Sequence, residues 1–239
     1  MLFENFNVGR HNSHYEGGYS ESELDWLRIC AADKARNLQQ LVASLPIASV
    51  LEVGCGSGAV LSEVRRRGIG TRHVGVDMAD PRAHLQPAAA GLEIHTYDGY
   101  TLPFADQSFD LVYATHVVEH VPDPRGFLAE LRRVSKGLIY LEVPCELHMR
   151  ATRDSLQRTL DIGHINAYTP ESFALLVQTA KLSIIASDLF NHSLDVVAFG
   201  GPLWQGRIKH ALRSALFALS RQWAARTFTY HFGALCRSA

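Results

Sequence analysis

The chain lacks paired cysteines and any long apolar run. Its four cysteines, Cys30, Cys55, Cys145 and Cys236, are scattered with no C-x-x-C pair. That argues against a disulfide framework and suits a reducing compartment. No uncharged apolar stretch reaches the length of about 18 residues that crosses a bilayer. Net charge is only −1, so no global field steers the protein toward nucleic acid. The opening M-L-F-E-N-F-N-V-G-R has neither the basic start nor the apolar core of a secretory leader, and a cytoplasmic location is expected. Internal repeats and low-complexity linkers are missing as well. With 47% apolar residues over 239, the composition supports one domain of generous size with a substantial core.

What is present starts at Val50, where the sequence reads V-L-E-V-G-C-G-S-G. An apolar run ending in Glu52 predicts a strand. Gly54, Gly56 and Gly58 predict a tight turn, and the amphipathic segment from Ala59 to Arg65 predicts a helix. Strand, glycine turn and helix together expose backbone N–H groups to a nucleotide-like ligand. The spacing is G-x-G-x-G, not the dinucleotide G-x-G-x-x-G. Glu52 would repel a pyrophosphate but suits a cation, such as the ammonium and sulfonium of S-adenosylmethionine. Cys55, where the turn needs a small residue, reads as packing. A second strand, H-V-G-V-D-M, ends at Asp77 and Met78. An acid there is placed to accept hydrogen bonds from ribose hydroxyls, or to cap the next helix. A third strand ends at Asp98-Gly99, and a fourth spans Phe109 to Ala114.

The segments E-V-G-C-G-S-G, G-V-D-M, Y-D-G-Y-T-L-P-F-A-D-Q-S-F-D-L-V-Y-A and V-V-E-H-V-P-D-P occur in this order. Together they resemble class I S-adenosylmethionine-dependent methyltransferases, in a branch similar to the type 11 and ubiquinone-pathway enzymes, over roughly Val50 to Pro144. The resemblance implies a Rossmann-like, doubly wound α/β fold: a mostly parallel seven-stranded sheet with one antiparallel strand and added N- and C-terminal helices. It implies S-adenosylmethionine as cofactor, Asp77 on the ribose and Asp98 on the adenine amino group. Glu52, Gly54, Gly56, Gly58, Met78, Gly99 and Tyr19 complete the expected cofactor set. An N-terminal loop and helix, residues 1–47, would lie over the cofactor, with Tyr15 or Tyr19 closing the site or standing as surface residues of a mobile arm.

The helix of that first segment is predicted from Glu23 to about Leu45, capped by Ser20 or Ser22. The methyltransferase domain is predicted over residues 48–200. Within it, Ser183–Phe190 and Leu194–Phe199 read as two strands joined by a tight antiparallel link. Residues 201–239 read as a basic amphipathic helical tail, with no acid after Asp195. Such a helix lies on a membrane surface or holds an anionic partner, or packs as a dimerising or lid helix.

The acceptor is expected at the carboxyl edges of the fourth and fifth strands. His120 and His164 there are the candidates for a catalytic base, or else histidines that hold a loop. His116, Glu119 and His120, spaced i, i+3 and i+4, would share one face of a helical turn. With His164 they resemble the E-x-x-E-H metal motif of ubiquinone-pathway and small-RNA methyltransferases, with His116 in place of the first Glu. That donor set suits zinc or a transition metal better than Mg²⁺. The leading expectation is methyl transfer to a hydroxyl of a small molecule or carbohydrate. Metal-assisted 2′-O-methylation of RNA is disfavoured by the near-zero charge, a non-catalytic S-adenosylmethionine-binding scaffold by the intact glycines and acids, and a nicotinamide dehydrogenase by the glycine spacing.

Overall fold

The computed structural model describes residues 6–7, 20–79, 85 and 87–238. Seven strands form one sheet: β1 Ser49–Val53, β2 Arg72–Asp77, β3 Glu93–Thr96, β4 Phe109–Thr115, β5 Ser135–Pro144, β6 Leu182–Phe190 and β7 His231–Ser238. Their order is β3-β2-β1-β4-β5-β7-β6. β1 to β5 run parallel, and β7 runs antiparallel to both β5 and β6. Eight helices surround it among the described residues: α1 Glu21–Val42, α2 Ala59–Arg66, α3 Pro124–Val134, α4 Arg153–Asp161, α5 Pro170–Thr179, α6 Leu194–Ala198, α7 Leu203–Leu219 and α8 Arg221–Thr227.

Alternation along the strands assigns the two faces. Leu51, Val53, Val112 and Leu141 point to the side covered by Phe127, Leu128 and Leu131 of α3 and Phe173 of α5. Val50, Leu111, Tyr113 and Tyr140 point to the side covered by Leu38 of α1 and Leu61 of α2. α1 starts as its sequence predicts: Ser20 Oγ accepts the Glu23 N–H, and the Glu23 carboxylate accepts the Ser20 N–H. The chain leaves β1 toward β2 on one side and returns to β4 on the other. In doubly wound sheets a reversal of this kind marks where ligands bind, here at the carboxyl ends of β1 and β4.

Two expectations change. Leu194–Ala198 is a helix, not a strand, with Ser193 Oγ accepting the Val196 N–H at 3.4 Å. The strand between β5 and β6 is β7, at the end of the segment read as a helical tail. A run as short as L-D-V-V-A-F does not distinguish helix from strand by periodicity; here the cap settles it, and the sheet takes its antiparallel strand from residues 231–238. Residues 201–239 therefore contain two helices and a central strand of the domain.

Candidate active site

Gly54, Gly56 and Gly58 all take positive φ, at 80°, 46° and 71°, the region open to glycine. A Cβ on Gly54 would lie 2.4 Å from Val117 Cγ2, and one on Gly58 2.8 Å from Ala89 Cβ. The turn is tied to the end of β2. The Gly54 and Cys55 amides donate to the Val76 carbonyl at 2.8 and 3.1 Å, and the Gly56 amide donates to Asp77 Oδ2 at 2.8 Å.

Asp77 Oδ1 accepts the Ala79 amide at 3.2 Å. Burial raises the Asp77 pKa, against the pull of the amides of Gly56, Ala79 and Met78. A carboxylate offers about four acceptor sites, so Asp77 retains capacity for hydroxyl donors beyond these two amides. Beyond β3, Asp98 Oδ1 accepts the amides of Tyr100 and Thr101 at 2.8 and 2.7 Å, and the Thr101 and Tyr100 amides hold this exposed carboxyl below its ordinary range. Gly99 makes room for Met78: a Cβ there would sit 2.8 Å from Met78 Cε. Met78 is 65% exposed. Asp77, Met78, Asp98 and Gly99 thus gather along the ends of β2 and β3.

Glu52 departs from its expected place. It lies on the face of β1 that α1 and α2 cover, beside Tyr113, and is 1% exposed. The Tyr113 hydroxyl donates to Glu52 Oε2 at 3.4 Å. Burial pushes its carboxyl up to about 8, in spite of attraction from Lys34. Tyr15 and Tyr19 lie outside the described residues.

Val117 connects this cradle to the acceptor side, because its methyls fill the space left by Gly54. Just before it, His116 adopts φ 59°, and its amide donates to the Glu142 carbonyl at 2.8 Å. Val118–His120 then forms a single 3₁₀ turn, so the shared α-helical face expected for His116, Glu119 and His120 does not form. His116 Nδ1 stands 3.7 Å from Glu119 Oε1, while Nε2 lies 3.3 Å from His231 Nδ1 and 3.6 Å from Glu142 Oε1. Among the described residues, potential metal-ligand atoms accordingly converge in two groups, His116 with Glu142 and His231, and Glu119 with His120 and His164.

The loop carrying His164 is stitched to the 3₁₀ turn. His120 Nδ1 pairs with the Gly163 carbonyl at 3.0 Å, the Asn166 amide donates to the Glu119 carbonyl at 2.9 Å, and Asn166 Nδ2 donates to the Val121 carbonyl at 2.8 Å. The rings of His120 and His164 meet edge-on with centroids 4.7 Å apart. His164 Nδ1 lies 3.0 Å from both oxygens of Glu146. Burial lowers the His164 pKa, but the Glu146 bond and the charges of Glu119 and Glu146 outweigh it, and the net shift is upward. Both carboxylate oxygens of Glu119 are buried with no hydrogen-bond partner among the described residues, and burial pushes its carboxyl up to about 7. Sequence reasoning gave no role to Glu146 or His231. Glu146 had a usable signal, an acid two residues past Pro144; His231 had none.

A family model described as a methyltransferase domain matches residues 51–140, the span of the glycine turn, Asp77, Asp98 and the His120 turn. The chain carries a class I S-adenosylmethionine-dependent methyltransferase domain. This methyltransferase domain is 43% identical over 90 residues to an uncharacterised methyltransferase of Mycobacterium sp. (strain JLS), in an alignment covering 37% of this chain; the chain thus spans 34% of that relative's length. A nocamycin O-methyltransferase of Saccharothrix syringae is 32% identical over 198 residues, which cover 79% of this chain and 65% of that protein. The solved structure of a candidate methyltransferase from Bacillus halodurans C-125 superposes with a TM-score of 0.58 at 17% identity, over 85% of this chain and 98% of that one; at that identity the likeness speaks to fold.

Proposed function

We propose that the protein transfers the methyl group of S-adenosylmethionine to a hydroxyl oxygen of a small-molecule or carbohydrate acceptor. The observation that carries this reading is the close approach of Val117 to Gly54, since Val117 immediately precedes the turn that carries His120. In this reading the positive-φ glycines leave room for the cofactor, Asp77 takes the ribose hydroxyls, and Asp98 and Met78 flank the adenine. The cofactor supplies an activated methyl on a good leaving group. The chain's task is to align the acceptor and receive its proton.

His164 suits that task. Its bond to Glu146 makes Nδ1 the donor and leaves Nε2 as the acceptor nitrogen. The same carboxylate stabilises the protonated ring after the proton arrives. The name of the Saccharothrix relative, an O-methyltransferase, supports oxygen as the target. His120, bonded to the Gly163 carbonyl, holds the loop that presents His164.

A second reading rests on Glu119. A buried carboxyl without a hydrogen-bond partner is costly, and Glu119, His120 and His164 together offer one oxygen and two nitrogen ligand atoms within 4.8 Å of one another. They fit zinc or a transition-metal ion, which would supply Lewis-acid polarisation of an acceptor hydroxyl.

Calorimetry with S-adenosylmethionine, followed by labelled-methyl transfer to a panel of sugars, phenols and RNA, tests the proposal. Cofactor binding and O-methylated small-molecule product are expected. Absence of binding, or label only on nitrogen, carbon or RNA, would overturn it. Activity that survives exhaustive chelation would remove the metal reading alone.

A further inference from the structure

α7 presents its apolar stripe to solvent. At about 100° per residue, Trp204, Ile208, Ala211, Leu212, Ala215 and Leu219 fall within an arc of roughly 100°. Trp204 is 63% exposed, Ile208 53%, Leu212 63% and Leu219 84%. The opposite face is what anchors the helix. Gly206 is buried against α6, where a Cβ would meet Ala198 Cβ at 2.4 Å. Arg213 donates to the Thr229 carbonyl, the Tyr230 hydroxyl donates to the Arg213 carbonyl at 2.8 Å, and Phe217 stacks on Tyr230 with centroids 5.4 Å apart. Rolling the stripe inward would break these contacts, so the helix is not a lid packed by its apolar side.

Exposed bases border the stripe, and Arg221 at the start of α8 pairs with Asp188. Arg207, Lys209 and Arg226 are exposed, and no acidic residue follows Asp195. Trp223 of α8, 53% exposed, extends the apolar surface and lies under the Arg226 guanidinium, 5.7 Å away. No described helix is long and apolar enough to span a bilayer. Self-pairing of this face would bring its exposed bases together, since the neighbouring Asp188 is already paired with Arg221. A bilayer surface rich in anionic lipid answers both features, since the stripe enters the acyl boundary while the bases meet headgroup charge.

We infer that α7 and the start of α8 form a peripheral docking surface for an anionic lipid bilayer. The test uses the full chain with vesicles of phosphatidylcholine and phosphatidylglycerol at seven to three, against pure phosphatidylcholine. Sedimentation should show at least tenfold tighter binding to the anionic vesicles, weakened by salt, with a blue shift of tryptophan emission. The double substitution I208E/L212E sits on exposed positions; it should keep the melting temperature and abolish vesicle binding. The inference is overturned if the wild type stays in the supernatant with anionic vesicles or if the double variant binds them equally. It is also overturned if light scattering shows a wild-type dimer that I208E/L212E dissolves, which would assign the stripe to a second copy.

Discussion

The Gly56 amide donates to Asp77 Oδ2 at 2.8 Å, so the side chain proposed to grip the ribose also braces the glycine turn. Asp77→Ala should therefore do two things. It should weaken S-adenosylmethionine binding by about 1–3 kcal/mol, the scale of hydrogen bonds to a charged group, and lower the melting temperature of the free protein. Asp77→Asn keeps an acceptor for Gly56 and should recover stability while affinity stays reduced. Calorimetry paired with thermal melts separates the two roles; unchanged affinity in the alanine variant would remove Asp77 from the cofactor set.

Gly54→Ala should be among the most damaging single changes. Its φ of 80° disfavours a Cβ, costing about 1–3 kcal/mol, and Val117 Cγ2 stands 2.4 Å from where that atom would go. Val117→Ala in the same chain should relieve the clash but not the backbone strain. Urea denaturation of the four proteins forms a double-mutant cycle, and strict additivity would refute the steric account.

Asp110 makes stability depend on acid pH. Lys136 Nζ lies 2.9 Å from its Oδ1, and the Ser49 hydroxyl and amide each donate to Oδ2 at 2.8 Å. Lys136 and then these donors, working against partial burial, hold its carboxyl well below the ordinary 3.8. A depressed folded-state pKa means the stabilisation is complete above the unfolded value and is lost as pH falls below it toward the folded one. Asp110→Asn should cost about 1–3 kcal/mol near neutrality and flatten the fall in stability below pH 4. Denaturation series at several pH values would show it, and an unaltered slope would count against the assignment.

The two histidines of the acceptor side should separate in kinetics. His164→Ala should lower turnover by roughly 10²–10⁴-fold, the range of general-base catalysis, with cofactor affinity intact. His120→Ala removes the bond to the Gly163 carbonyl and should act mainly through a looser loop, with a lower melting temperature and a smaller loss of turnover. Equal losses in both variants would place the two residues in one unit instead of the separate roles argued here.

Local chemistry was readable in the linear order of residues. The glycine turn and Asp77 stood out because positive φ, close approach and hydroxyl recognition each demand particular residue types at fixed spacing, while Asp98 was marked by the resemblance. The capping of α1 by Ser20 was legible for the same reason. Long-range partners were not. His231 reaches Glu142, Nδ1 to Oε1 at 3.0 Å, because β7 runs antiparallel to β5 and sets His231 opposite Pro144. No spacing rule links positions 142 and 231. Glu52 was readable as an acid beside the cradle, but whether it faced the crevice or the core depended on α1 and α2 covering its side of the sheet.

From sequence alone came the family and the sheet class, through the resemblance that the ordered motifs carry, together with the cofactor and an amphipathic helix after residue 200, since motifs, periodicity and turn chemistry are encoded over short distances. Tertiary structure alone decided which strand enters between β5 and β6, which carboxylate backs His164, and which way the apolar side of α7 looks. Periodicity marks an apolar stripe without saying what meets it. Only the docking of Gly206 on Ala198 and of Phe217 on Tyr230 turns that stripe outward to water.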